Sequence, residues 1–263
     1  MKKLRAFDVL GNIAIVKFPS EFKQKDKKKF AEKILKENKT IKTVLEKCGK
    51  IKGRLRKIST EYLAGEKTKE VLYRENGCVF RFNVDMTYFS PRLSNERKEI
   101  ASKIKNNSEV LVMFAGVAPF PIVIAKNSKA KKVYSNDINR EANRYAKLNI
   151  ELNRLRKKVE LIPGDIKRVA KELAEKKKKM DIIVMPRPQL KESFLKQAFD
   201  LSKKNTQIYY YDFCRSDEVN LIIEKIKKEA EKLGKKIKIL KWKSAGEIAP
   251  YKARVRVDFK ILN

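Results

Sequence analysis

From Glu109 onward, short apolar runs alternate with longer amphipathic stretches, and this rhythm constrains the fold more than any other feature. Val110-Leu111-Val112-Met113 is apolar throughout, as a strand buried on both faces must be. It runs into Ala115-Gly116-Val117-Ala118, after which helical spacing begins at Phe120. Strand signatures return at 132–135, 159–162, 181–185 and 207–211, with helices expected at 140–153, after Asp165 as far as Lys179, at 193–202 and at 218–233. Further strands are expected near 236–243 and 253–261. Strands that alternate with helices predict an α/β fold with a mostly parallel, doubly wound sheet. Residues 1–85 read differently, with a strand pair around Gly11-Asn12, a helix over 22–38 and several extended runs. They predict a smaller α+β domain, leaving 86–263 for the α/β domain. Pro91 marks a turn between the two, and Ser94 or Asn95 is placed to cap a helix through Ile104.

A doubly wound sheet binds ligands beyond the carboxyl ends of its strands, where the strand order switches. Gly116 stands at such an end and lets the backbone approach a ligand closely. Asp137 closes the second strand and is placed to accept hydrogen bonds from two ribose hydroxyls; Asp165, after the third, suits an adenine amino group. The turn has one glycine and is not Gly-x-Gly-x-x-Gly, so a pyrophosphate-bearing dinucleotide fits poorly. S-adenosylmethionine, which has no phosphate, suits it better. The plainer reading is an ordinary βα turn with Asp137 as a helix cap.

Charge narrows the partner. The chain carries 65 Lys+Arg against 32 Asp+Glu, a net charge of +33. That surplus attracts a phosphate backbone through counterion release, whatever the base sequence. A heat-adapted surface is the alternative, but it raises glutamate together with lysine. There is no histidine, which removes Ser-His-Asp, Cys-His and His-ligated metal mechanisms. Cys48, Cys78 and Cys214 are too few and too far apart for a zinc site, and no metal is expected. With no long apolar run and no leader pattern, the protein is expected to be soluble and cytoplasmic, without a membrane partner.

Tyr88-Phe89-Ser90-Pro91-Arg92, followed by Asn95-Glu96-Arg97, is the most specific stretch of the chain. With 7–14, 63–66, 74–78, 113–120, 137–139 and 245–250, it resembles the archaeal and eukaryotic family of tRNA guanine-N1 methyltransferases. That family acts at the guanosine 3′ of the anticodon (position 37). The resemblance implies a class I (Rossmann-like) S-adenosylmethionine-dependent core behind a smaller RNA-contacting domain. It implies a catalytic set of Glu96, Arg56 and Arg92, with Glu96 the general base, Arg56 against the target base, and Arg92 with Tyr88 lining the mouth of the site. Cofactor contacts would come from Tyr88, Arg92, Phe114, Ala115, Gly116, Val117, Asp137, Ile138 and Asp165, and substrate contacts from Arg54, Arg56, Arg97 and Arg187. The chemistry agrees: N1 of guanine is a poor nucleophile until its proton leaves, and an arginine near O6 steadies the charge that develops. Plainer roles are an exposed helix-surface carboxylate for Glu96, a phosphate contact for Arg56 and a core aromatic for Tyr88. The partner implied is tRNA, chiefly its anticodon arm, bound by a monomer.

Three positions depart from the family pattern. Val112 stands for a usual aspartate, Ala118 for a second glycine, and Pro186-Arg187-Pro188 for Asn-Leu-Pro, whose asparagine helps hold the base. Arg187 is the candidate replacement. These departures leave room for two alternatives: another reaction of the wybutosine pathway (aminocarboxypropyl transfer, or methylation of a tricyclic guanine), or a tRNA-binding protein with a degenerate site. Relatives that move the aminocarboxypropyl group generally lack the arginine after Phe-Ser-Pro, so Arg92 favours methyl transfer.

Overall fold

A computed structural model describes residues 7–52, 57–186, 192–215, 217–249 and 252–263. The chain divides into two compact units, Met1–Pro91 and Arg92–Asn263. The boundary therefore lies within the Tyr88–Arg92 stretch, a little beyond residue 85.

In the first unit, β1 (Asp8–Leu10) and β2 (Ile13–Val16) form an antiparallel hairpin. α1 (Gln24–Glu37) then carries the chain over to β3 (Thr43–Lys52), parallel to β2, and β4 (Lys57–Gly65) closes a four-stranded sheet. Ala14, Val16, Val44 and Leu63 meet Ala31 and Ile34 of α1 in its core, where Phe18 lies edge-on to Phe30. β5 (Glu70–Glu75) and β6 (Cys78–Asn83) form a separate hairpin. Its two-residue loop, Asn76-Gly77, has positive φ at both positions, as the strand twist demands.

The second unit opens with a 3-10 turn at Pro91–Leu93 that runs directly into α2 (Ser94–Lys103). Ser94 is thus already helical and Leu93 is the N-cap, with no side-chain cap, contrary to the expected Ser94 or Asn95. Next come β7 (Glu109–Val112), α3 (Pro119–Asn127), β8 (Lys132–Ser135), α4 (Arg140–Leu152) and β9 (Val159–Leu161). They are followed by α5 (Ile166–Glu175), β10 (Met180–Met185), α6 (Leu195–Asp200), β11 (Ser202–Arg215), α7 (Val219–Lys232), β12 (Ile237–Ala249) and β13 (Lys252–Ile261). The sheet order is β12-β13-β11-β10-β7-β8-β9. The five strands from β11 to β9 are parallel, and β13 enters antiparallel between β11 and β12. The fold is the Rossmann-like α/β sheet read from the sequence. The helix expected at 193–202 is shorter, and the strand expected at 207–211 much longer. β11 outruns its parallel neighbour because β13 pairs with it as far as Arg215.

Strand alternation divides the core. Ile183 and Met185, Ile208 and Tyr210, and Val255, Val257 and Phe259 pack with α5, α6 and α7. The opposite face carries Tyr209 and Tyr211 of β11 with Arg254, Arg256 and Asp258 of β13, all buried. α2 covers that polar face through Glu96 and Glu99, both bonded to Arg256. Among the described residues, no helix is long and apolar enough to cross a membrane.

Candidate active site

The chain passes from β7 outward to β8 and β9, then returns to β10 on the other side of β7. The switch in strand order thus falls at the carboxyl ends of β7 and β10, where a doubly wound sheet offers a crevice. The turn after β7 sits there, with left-handed backbone at Phe114 (φ 58°), Gly116 (φ 58°) and Ala118 (φ 65°). Asp137 fixes the turn: one carboxylate oxygen accepts the Gly116 N–H at 2.7 Å, the other the Asn139 N–H at 2.8 Å. Buried asparagines brace the rest. Asn149 donates to the Val117 carbonyl at 3.1 Å, and Asn136 donates to those of Ile162 and Gly164 at 2.8 and 3.1 Å. Asn136 thereby ties the segment before Asp165 to the end of β8; neither asparagine was marked by the sequence reading.

Asp137 and Ile138 are half-buried, as are Phe114, Gly116 and Asp165, while Ala115 and Val117 are buried. Asn139, and not Asp137, caps α4, and Asp165 caps α5 by accepting the Lys167 N–H at 2.9 Å. Asp137 is thus held at the end of β8 by backbone donors on both oxygens, and a carboxylate, which only accepts, suits the hydroxyls of a diol. The Phe114 ring, edge-on to Phe194 at 5.2 Å, supplies an apolar wall. These residues fit a nucleoside cofactor without phosphates. Ala118 keeps the left-handed conformation that favours glycine, so the departure at this position has left the turn in glycine's geometry.

In the first unit, Phe89 is buried against Phe82 at 4.7 Å, Tyr73 at 4.9 Å and Phe80 at 5.7 Å, which anchors its segment on the β5–β6 hairpin. Tyr88 beside it is half-buried, and Arg92 is exposed. Glu96 is not the exposed surface carboxylate of the plainer reading, since it is only 5% exposed. Its Oε2 accepts from Arg256 Nη1 at 2.5 Å and from the Tyr211 hydroxyl at 2.8 Å, while Lys243 Nζ lies 2.8 Å from Oε1. Lys243 also reaches Glu99 at 2.6 Å, and the two carboxylates raise its pKa. Burial opposes the charge on Glu99, but hydrogen bonds from Arg256, Lys103 and Lys243 outweigh it and hold this carboxyl well below its ordinary range. Burial, then the charge of Glu96, pushes the Tyr211 hydroxyl far above its usual value. Arg97, expected at the substrate, is 1% exposed and stands 5.7 Å from the Phe120 ring, so the fold has taken its guanidinium inside. Arg54, Arg56 and Arg187 lie outside the described residues. The sequence reading missed Tyr211, Lys243 and Arg256; the one signal was the Arg254-Val255-Arg256-Val257-Asp258 alternation.

A doubly wound sheet with a phosphate-free cofactor turn and a strand-end aspartate defines an S-adenosylmethionine-type α/β methyltransferase. The chain belongs to the TRM5/TYW2 methyltransferase family: the model of the TRM5/TYW2 methyltransferase domain matches residues 71–240, and that of the TYW2 N-terminal domain residues 1–68. It is 34% identical to the tRNA (guanine(37)-N(1))-methyltransferase Trm5b of Pyrococcus abyssi, over 97% of this chain and 74% of that one. The crystal structure of that relative superimposes with a TM-score of 0.85 at 33% identity, covering 99% of this chain and 76% of the other. The tRNA (guanine(37)-N(1))/4-demethylwyosine(37)-methyltransferase Taw22 of Nanoarchaeum equitans is 31% identical over 98% of this chain and 100% of its own length. The complex of aTrm5 with tRNALeu gives a TM-score of 0.83 at 30% identity, with 98% and 72% of the two chains covered.

Proposed function

We propose that this enzyme methylates N1 of guanosine 37 in tRNA, as a cytoplasmic monomer that reads the anticodon arm. The observation that carries the reading is Glu96, a carboxylate withdrawn from water at the start of α2 and held in place by Arg256, Tyr211 and Lys243. A carboxylate so held is positioned to accept a proton without first shedding a hydration shell. S-adenosylmethionine, when bound, supplies an electrophilic methyl group. The turn at 114–118, with Asp137, Ile138 and Asp165, binds and orients the nucleoside part of that cofactor; Tyr88 and Arg92 line the entrance. Glu96 takes the N1 proton, Arg56 steadies O6, and Arg54 and Arg187 contact the substrate.

The test is transfer of labelled methyl from the cofactor to unmodified tRNA transcripts with G or A at position 37. Label in the G transcript, located at N1, supports the reading, and equal label in both rejects it. Cofactor that fails to bind at millimolar concentration while tRNA still does would establish the degenerate tRNA-binding alternative. The relative from Nanoarchaeum equitans, matched over its whole length, carries a second activity in its name. That match favours 4-demethylwyosine as an additional substrate, to be tried with tRNA that carries the tricyclic base.

A further inference from the structure

Arg256 has no exposed surface, and nothing in the chemistry above uses it directly. Its Nη1 donates to Glu96, its Nη2 to Glu99 at 2.7 Å and to Asp258 at 3.0 Å, and its Nε to Asp258 at 2.6 Å. The guanidinium also stands over the Tyr209 ring at 5.5 Å. Burial works against this charge, but hydrogen bonds to Asp258 and Glu99 overturn the penalty and keep it firmly protonated. So many fixed contacts leave Arg256 one position, and through it Glu96.

The two oxygens of Glu96 are treated unequally. Oε2 receives two buried donors, Arg256 Nη1 and the Tyr211 hydroxyl. Among the described residues, Oε1 meets only Lys243, which is 36% exposed and already shared with Glu99. A protonated carboxyl has one carbonyl oxygen that only accepts and one hydroxyl that donates. Two donors on Oε2 match the carbonyl and would collide with the hydroxyl. We propose that Arg256 is a positioning residue for this reaction: with Tyr211 it fixes Oε2 as the carbonyl oxygen, so that Oε1 takes the proton. Lys243 then withdraws to Glu99, which holds it at 2.6 Å. The N1–H bond breaks, its pair stays on N1 to form the bond to methyl, the proton forms O–H on Oε1, and the pair that held the methyl leaves with the donor sulfur. The proposal rests on the reading of Glu96 as general base.

Single-turnover methylation of the G37 transcript, at saturating enzyme and cofactor, tests it in parental and Glu96→Gln backgrounds. Glu96→Gln alone is expected to slow the step about a hundredfold. Tyr211→Phe, which removes only the hydroxyl, is expected to slow the parental enzyme about tenfold through a misplaced base, with tRNA and cofactor affinities unchanged. Arg256→Met should be at least as slow, and Arg256→Lys should recover part of the rate. In the Glu96→Gln background, Tyr211→Phe should change the rate less than about twofold, because the interaction it served is gone. Equal losses in both backgrounds, or a parental rate for Tyr211→Phe, would overturn the proposal even if the Arg256 variants do not fold. A parental rate for Glu96→Gln alone would instead overturn the general-base reading and the proposal with it.

Discussion

Asp137 holds two backbone N–H groups and, in the proposed site, two ribose hydroxyls as well, so it has no acceptor to spare. Asn at this position is close in shape but exchanges one acceptor for a donor. Whichever way the amide turns, an N–H of Gly116 or Asn139 then faces an NH2. One unsatisfied, partly buried donor costs about 1–3 kcal/mol. Asp137→Asn is therefore expected to weaken cofactor binding about tenfold or more and to lower Tm; calorimetry and thermal melts check both. Wild-type affinity in this variant would remove Asp137 from the site. The place of Asp137 beside the turn was legible in the sequence, because a strand end followed by a helix start leaves a carboxylate few places to go. The partners of Glu96 were not. Arg256 lies 160 residues away in sequence, and no local pattern pairs the two. The burial of Arg97 was not legible either: its type suggests a contact with substrate, and only its place against the Phe120 ring of α3 shows that the side chain is inside.

At the scale of elements, the β1–β2 hairpin and the β13 strand show what a local pattern can and cannot give. Gly11-Asn12 reads as a turn, and Gly11 has a left-handed φ of 56°. The structure adds that a Cβ there would come within 1.9 Å of the Leu72 carbonyl oxygen, while Asn12 accepts the Leu72 N–H at 2.7 Å. Gly11→Ala must therefore shift β5 as well as strain φ, and about 2–4 kcal/mol of destabilisation is expected. Gly77→Ala also has a positive φ but meets nothing within 4 Å, so about 1 kcal/mol is expected from strain alone. Denaturant midpoints of the two variants separate the effects; equal losses would show that the close approach is relaxed at no cost. β13 alternates charged and apolar residues, which suggests a wet face, yet α2 covers that face with carboxylates that match Arg256. This match has a pH signature. The Glu99 pKa falls on folding from an ordinary 4.5, so its stabilisation is present above that value and is lost as pH falls below it. The Lys243 pKa rises from 10.5, so its share is present below that value and fades as pH climbs beyond it. Melting temperature against pH should thus drop below about 4.5, and the acid limb should be shallower in Glu99→Gln. An unchanged acid limb in that variant would mean that Glu99 contributes nothing.

For the whole molecule, charge favours a polyanionic partner and leaves its identity to the site. If each of the 32 acidic side chains neutralised one cation, 33 of the 65 would still have no counter-charge within the chain. The network around Arg256 sets Glu96, Glu99 and Asp258 against Arg256, Lys103, Lys241 and Lys243, so it leaves this surplus on the rest of the chain almost untouched. It acts as a field on any polyanion, and its strength depends on displaced counterions and not on base identity. Binding of tRNA and chemistry at guanine 37 should therefore respond differently to salt. With about six to ten phosphate contacts, affinity for tRNA is expected to fall about 10³- to 10⁵-fold between 50 and 200 mM salt. Transcripts with G or A at position 37 should show the same slope, since one base edge adds nothing to counterion release. Affinity for S-adenosylmethionine, which meets the turn at 114–118 and the Asp137 carboxylate, should be nearly flat over that range. The single-turnover rate at saturating tRNA should be flat as well, because Glu96 is buried and its partners are screened little. Binding titrations of both transcripts and of the cofactor across a salt series give all the slopes needed. A tRNA slope as shallow as that of the cofactor would mean that the surplus charge serves something other than a phosphate backbone. A slope that differs between the two transcripts would place recognition of guanine in the binding step, and not in the proton transfer to Glu96.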